Sequence, residues 1–266
     1  MEYDFSHWKQ LPRISCWCPT FAREELLEEA IQSFLIQDYP GEKELVILND
    51  YEEQELVFKH PEVKIYNIQW RIPHLSKKTY EVIGLCNYEY LASWASDDIS
   101  FKSRLSRSVE RMHKGGPLLH LPDDRKNFQF YAPGGWFISH IDENNEYSTK
   151  YVKSFDFGAC LFSKEAFAEG EHYNLEKQAC LGPSIQEKFQ IFGYWSVDMD
   201  LPHDQTFYLY RRFLKHDKWL PHVLAARAEG GNGSDLTKAQ EHYAKHSRKG
   251  RIELNPHWKM DYENGQ

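Results

Sequence analysis

Apolar positions recur with two different periods along the first 115 residues, and the switches between periods mark out the elements. Arg13-Ile-Ser-Cys-Trp-Cys18 reads as a strand. Pro19-Thr20-Phe21-Ala22-Arg23 closes it, and Leu26, Leu27, Ala30, Ile31, Phe34 and Leu35 then fall on one helical face. Thr20 can cap that helix, with Glu24 and Glu25 in a first turn where negative charge is favoured. After Asp38-Tyr39-Pro40-Gly41, the run Glu44-Leu-Val-Ile-Leu48 is a second strand that ends on Asn49-Asp50. Residues 60–66 read as a third strand, Ser76 to Asn87 as a helix, and Tyr88 to Trp94 as a strand that stops on Ser96-Asp97-Asp98. A further amphipathic helix carries Leu105, Val109 and Met112 and is broken at Gly115-Gly116-Pro117.

Strand and helix alternation of this kind predicts an α/β fold with a mostly parallel sheet flanked by helices. A right-handed crossover sets the ends of the first two strands side by side, and ligands of open α/β sheets bind along that carboxyl edge. Pro19-Thr20, Asn49-Asp50 and Asp97-Asp98 all belong there. Two adjacent carboxylates repel unless something takes up their charge, and Mg²⁺ or Mn²⁺ shared with substrate phosphates is one answer. An acidic turn that caps the next helix is another.

Composition narrows the class. The 266 residues are 41% hydrophobic and 15% aromatic, which marks a globular chain with a substantial core. A net charge of −8 and a pI near 5.9 disfavour a nucleic-acid partner, although a local basic groove remains compatible. Five cysteines at irregular spacing, with no apolar leader, point to core thiols in a reducing cytoplasm. Cys16 and Cys18 fall on one face of their strand, and no run is long enough to span a bilayer.

Three motifs in order then carry a resemblance. Pro19-Thr20-Phe21-Ala22-Arg23 with its helix and Gln37-Asp38-Tyr39-Pro40, then Glu44-Leu-Val-Ile-Leu-Asn49-Asp50, then Trp94-Ala-Ser-Asp97-Asp98-Ile99 with Arg104-Leu105, resemble the motif series of family 2 glycosyltransferases with the GT-A fold. The match covers roughly residues 12 to 113 well and the rest more thinly. It implies one glycosyltransferase domain over 1–266: a nucleotide-sugar half at 12–115, a less regular acceptor half at 116–240, and a polar tail from 241. It further implies a nucleoside-diphosphate sugar, with UDP by family habit, lying across the strand ends. Pro19, Thr20, Phe21 and Arg23 would line the donor pocket, Asp50 would bond the base, Asp97 the ribose or the metal, and Ser96 would belong to the same donor site. Asp98 would hold Mn²⁺ or Mg²⁺. Lys77, in a Lys77-Lys78-Thr79-Tyr80 run that departs from the family pattern, is either a phosphate contact or a solvated helix start. Ser96 stands where many members carry a further acid.

The second half offers two more candidates. His203-Asp204-Gln205, read as a helix start with Phe207 and Tyr208 facing the core, looks like the family's Glu-Asp-Gln pattern. The resemblance makes Asp204 the general base of an inverting transfer to an acceptor hydroxyl; as a bare N-cap it would contribute roughly 1 kcal/mol. Asp235, in the glycine-rich stretch 229–237, stands where relatives place a histidine, and is either a second metal ligand or part of a plain loop. Gly158 would permit close approach of acceptor or backbone. Asp123-Asp124, beside Arg125-Lys126, reads as a solvated loop, and His242, His246 and His257 receive no role. Two rival readings stay open. One is a nucleotidyltransferase, against which the first loop lacks Gly, Arg and Lys enrichment; the other is an inactive nucleotide-sugar-binding module.

Overall fold

A computed structural model describes residues 2–73, 75–112, 130–141, 147–154, 157–168, 197–198, 200–211, 230 and 236–259. In chain order the elements are β1 (Ile14–Thr20), α1 (Glu24–Leu35), β2 (Lys43–Asn49), β3 (Gln54–Val57), β4 (Val63–Asn67), α2 (Leu75–Gly84), β5 (Tyr90–Ser93), β6 (Ile99–Ser100) and α3 (Arg104–Arg111). There follow β7 (Phe130–Pro133), β8 (Trp136–Ile141), β9 (Tyr147–Val152), β10 (Leu161–Ser163) and α4 (Lys164–Ala168). The last are β11 (Val197–Asp198), β12 (Tyr208–Arg211), α5 (Leu236–His246) and β13 (Gly250–Glu253).

The architecture is mixed α/β. Its main sheet has seven strands in the order β11-β7-β10-β5-β1-β2-β4, parallel except for β10, which runs antiparallel to both neighbours. The continuous apolar runs of β1 and β2 follow from burial on both faces. Ile14, Cys16, Cys18, Leu45 and Ile47 meet Leu27, Ala30, Ile31 and Phe34 of α1 on one side. Trp17, Val46 and Leu48 meet Val82 and Ile83 of α2 on the other. The two cysteines share a face, as their spacing requires, and the four described cysteines are buried thiols outside any disulfide. Burial pushes the Cys18 and Cys86 thiols up to about 12, which suits packing and not reactivity. Among the described residues no helix is long and apolar enough to cross a membrane.

Several motif residues turn out to fasten elements together. Gln37, past the end of α1, donates through Nε2 to the Ser33 and Phe101 carbonyls, and its Oε1 accepts the Leu105 N–H, so one amide ties α1 to α3. Tyr39 donates its hydroxyl to the Pro12 carbonyl at 2.5 Å. The N-terminal arm lies on the domain, with Trp8 Nε1 donating to the Val109 carbonyl at 3.0 Å and Tyr3 to Asp38 at 2.6 Å.

A second sheet, β6-β12-β8-β9, stands beside the first. Here the expected helix after Asp204 is replaced by a 3₁₀ turn at His203–Gln205 followed by strand β12. The aromatic-rich run Phe207-Tyr-Leu-Tyr210 suits a strand better than a helix. The C-terminal stretch also differs from a polar tail: α5 buries Ala239, His242 and Tyr243, and β13 pairs in parallel with β3. Gly250, at φ 84°, makes the left-handed turn into β13 that other residues resist. This segment covers a row of acids on α1. Glu24 accepts from the Arg248 N–H at 2.7 Å and from Gln54, Glu28 from the Asn255 N–H at 3.1 Å, and Glu29 from the Lys259 N–H at 2.9 Å. Those bonds are why three carboxylates on one helix can be buried.

Candidate active site at the carboxyl edge of the sheet

Register fixes the geometry of this edge. Thr20, the last residue of β1, lies opposite Asn49 at the end of β2, which lies opposite Asn67 at the end of β4. β5 ends sooner, its Ser93 level with Trp17, so the chain from Trp94 to Asp98 runs on along the edge. Asp50, Thr20, Asp97 and Asp98 are therefore delivered to one rim by three parallel strands.

Each has definite partners. Asp50 is fully buried; its Oδ1 accepts from Lys78 Nζ at 2.5 Å, and its Oδ2 from Arg71 and from the Ile72 N–H at 3.0 Å. Lys78 also donates to the Thr20 carbonyl, so a single ammonium ties the ends of β1 and β2. Burial pushes this amine down to about 8, against the pull of Asp50. Lys77, its neighbour, is exposed. The Arg71 guanidinium lies 4.0 Å over the Phe21 ring, which is 5.0 Å from that of Tyr51. Pro19 is half-buried within β1. The hydroxyls of Thr20 and Ser96 are buried and, among the described residues, have no hydrogen-bond partner.

The carboxylate pair is held from two directions. Asp97 accepts from Arg23 Nη1 at 2.5 Å, both side chains being about one-sixth exposed at 16% and 17%. Asp98 is 5% exposed; Tyr208 donates its hydroxyl to Oδ2 and the Arg211 N–H donates to Oδ1 at 2.9 Å. The Arg211 side chain, buried entirely, donates to the Asp97 carbonyl and pairs with Glu29. Arg104, also buried, donates to the Ser93 and Gly158 carbonyls and to the Ser100 hydroxyl, with its guanidinium 4.6 Å over Trp94. The close approach at Gly158 is thus made by its own backbone carbonyl.

Asp204 is exposed in the 3₁₀ turn, which leads through Thr206 and Phe207 straight into β12. Its neighbour His203 sets its ring 4.4 Å from Tyr151 and 5.2 Å from Phe137, edge-on to both. Gly135 makes room for this cluster, because a Cβ there would stand 1.9 Å from the Tyr151 hydroxyl. Asp235 and the 123–126 loop lie outside the described residues. Sequence reasoning passed over Arg71, Tyr208 and Arg211, whose importance comes from partners far away in the chain; Lys78 could be told from Lys77 only by the rotation of α2.

No protein-family model matches the chain, and no curated protein does. Among solved structures, the crystal structure of S. aureus TarS 1–349 is similar, with a TM-score of 0.47 and 14% identity. The likeness covers 95% of this chain and 74% of that one.

Proposed function

We propose that this chain is a glycosyltransferase of the GT-A type, which moves a sugar from a nucleoside-diphosphate sugar, UDP foremost, to an acceptor hydroxyl with inversion. The observation that carries the reading is the junction of the two halves. Asp97 and Asp98 follow a parallel strand at the ligand-binding edge, and the strand that grips them, β12, begins directly after the turn bearing Asp204. A donor-side carboxylate pair and an acceptor-side base are what inverting transfer requires on opposite faces of one sugar carbon. The turn bearing Asp204 leads into the strand whose Tyr208 and Arg211 bond to Asp98, and that supports the assignment.

The donor set suits a hard divalent cation such as Mn²⁺ or Mg²⁺, being all oxygen: two adjacent carboxylates and the unpartnered Ser96 hydroxyl. Among the described residues no group of three or more acids, histidines or cysteines is placed to hold a metal, so diphosphate oxygens and water would complete the shell. Asp98 and Asp97 would hold the ion, and when bound it would supply neutralising charge for the leaving diphosphate. Asp50, with Lys78 and Arg71 bonded to it, would stand at the base, with the rings of Phe21 and Tyr51 beside Arg71. Asp204, exposed and next to an aromatic cluster, would take the acceptor hydroxyl's proton as the bond to the sugar forms.

Calorimetric titration with UDP, GDP and CDP, with and without Mn²⁺, tests the reading on the intact chain and on Asp98→Ala. Micromolar binding of one diphosphate that needs both Mn²⁺ and Asp98 is the expected result. Failure of every nucleotide to bind under all conditions would sink it.

A further inference from the structure

The C-terminal helix reaches the carboxylate pair. Arg23, which pairs with Asp97, lies with its guanidinium 5.2 Å from the ring centroid of Tyr243 on α5. Tyr243 is 4% exposed and belongs to a small cluster with Ala22, Tyr51 and Ala239, so α5 rests directly on the loop that follows β1. Ala22, one residue before Arg23, has φ 50°, a left-handed conformation unfavourable for a residue with a Cβ. That geometry aims Arg23 inward. A small cavity opens where Arg23 and Glu24 meet Tyr243, His246 and Ser247, and the Arg23 Nε–H, buried, has no acceptor among the described residues.

Backbone anchorage makes α5 a fixed support. The Arg248 N–H donates to Glu24, the first residue of α1, and β13 is zipped to β3 over four register pairs. The Arg23 side chain therefore cannot leave Asp97 without losing its contact with the Tyr243 ring. A guanidinium 2.5 Å from a carboxylate occupies the position that a divalent ion would need.

We propose that Arg23 is a built-in counter-cation for Asp97, held in place by Tyr243 of the C-terminal helix, and that a divalent ion must displace it to engage both carboxylates. Tyr243 is thereby a positioning residue for the metal site. Its action is to set the ion's affinity, through Arg23, without touching the ion. This rests on the reading of Asp97 and Asp98 as the cation-binding pair.

The test is Mn²⁺ affinity in the absence of nucleotide, read from the electron paramagnetic resonance signal of free Mn²⁺, on the wild type, Arg23→Gln, Tyr243→Phe and Tyr243→Leu. Arg23→Gln should tighten Mn²⁺ about tenfold, within the usual span of coupling between competing cations. Tyr243→Leu should shift it the same way by a smaller factor, and Tyr243→Phe, which keeps the ring but loses the hydroxyl's bond to Arg23, by a factor smaller still. Unchanged or weaker Mn²⁺ binding in Arg23→Gln overturns the proposal, as does the absence of Mn²⁺ binding in all four proteins. Should Tyr243→Leu fail to fold, Arg23→Gln and Tyr243→Phe still decide. Titration of the same wild-type sample with UDP, GDP and CDP separates the two failures: binding of any one with an unmoved Mn²⁺ affinity rejects the Arg23 proposal alone, whereas binding of none rejects the glycosyltransferase reading.

Discussion

Lys78→Met isolates one buried charge and gives a prediction with a fixed sign. In the folded chain the Lys78 ammonium is 3% exposed, between the Thr20 carbonyl and Asp50, and burial moves its pKa from 10.5 to about 8. Between those two values the unfolded chain holds the proton and the folded chain has released it. Folding stability therefore rises with pH through the window from about 8 to 10.5, and below it the full cost of burying the charge is present. At 1.36 kcal/mol per pH unit the window is worth about 3 kcal/mol. The methionine variant lacks this group, so its stability profile should lack the rise. The assay is urea unfolding followed by circular dichroism at half-unit steps from pH 7 to 10.5, on both proteins. The difference between them should be flat below pH 8 and then climb in favour of the wild type by about 3 kcal/mol. Parallel profiles would refute the reasoning, since they would mean that Lys78 keeps its proton as an exposed lysine does. Nucleotide affinity should move the opposite way over the same window, because a neutral amine no longer balances the Asp50 charge at the strand ends.

Other consequences can be checked independently. Arg211→Met removes a pair with Glu29 in which neither side chain is more than 3% exposed, and chemical denaturation should show a loss of about 3–5 kcal/mol; a loss under about 1 kcal/mol would contradict the pairing. Asp98→Asn keeps an acceptor for the Arg211 N–H and should fold with a deficit of about 1 kcal/mol, yet its Mn²⁺ affinity should drop at least tenfold in the same resonance assay. Gly135→Ala drives a Cβ into the Tyr151 hydroxyl. It should leave UDP affinity unchanged in calorimetry while slowing transfer to acceptor, because Tyr151 backs His203 beside Asp204.

How much of this was legible depends on how far apart in the chain the partners lie. The central strands and their crossover helices announce themselves, since β1 and β2 are apolar on both faces and α1 carries a stripe of six apolar residues. Their ends then locate Thr20, Asp50, Asp97 and Asp98 by topology alone. Strand β12 could have been read from the aromatic-rich run after Thr206, but Asp204 in a good N-cap position favours a helix. The burial of Ala239, His242 and Tyr243 follows helical spacing, a signal masked by the charges between them. Nothing local reveals that Arg211 meets Glu29 at a separation of 182 residues, or that Arg248 meets Glu24 at 224. Charges with distant partners read as solvated until the fold brings them together.

Those distant pairs share a direction. Arg211 runs from β12 to Glu29 on α1, Arg248 from the C-terminal segment to Glu24 on the same helix, and Arg23, beside the start of that helix, to Asp97. Helix α1 is thus the common base on which the acceptor-side strand, the C-terminal helix and the carboxylate pair are mounted. Arg211 and Glu29 form a buried pair, and such a pair is stiff, because moving either member leaves the other unpaired at a cost of several kcal/mol. Stiffness is useful here. Asp98 receives its donors from β12, the strand that follows the Asp204 turn. On the proposed function, Asp98 and Asp204 would have to be held at a set separation for in-line attack, and small displacements in such sites reduce rate steeply. Arg211, which ties β12 to α1, would then serve the reaction geometry as well as the fold, and Arg211→Met should impair transfer beyond what its lost stability alone accounts for.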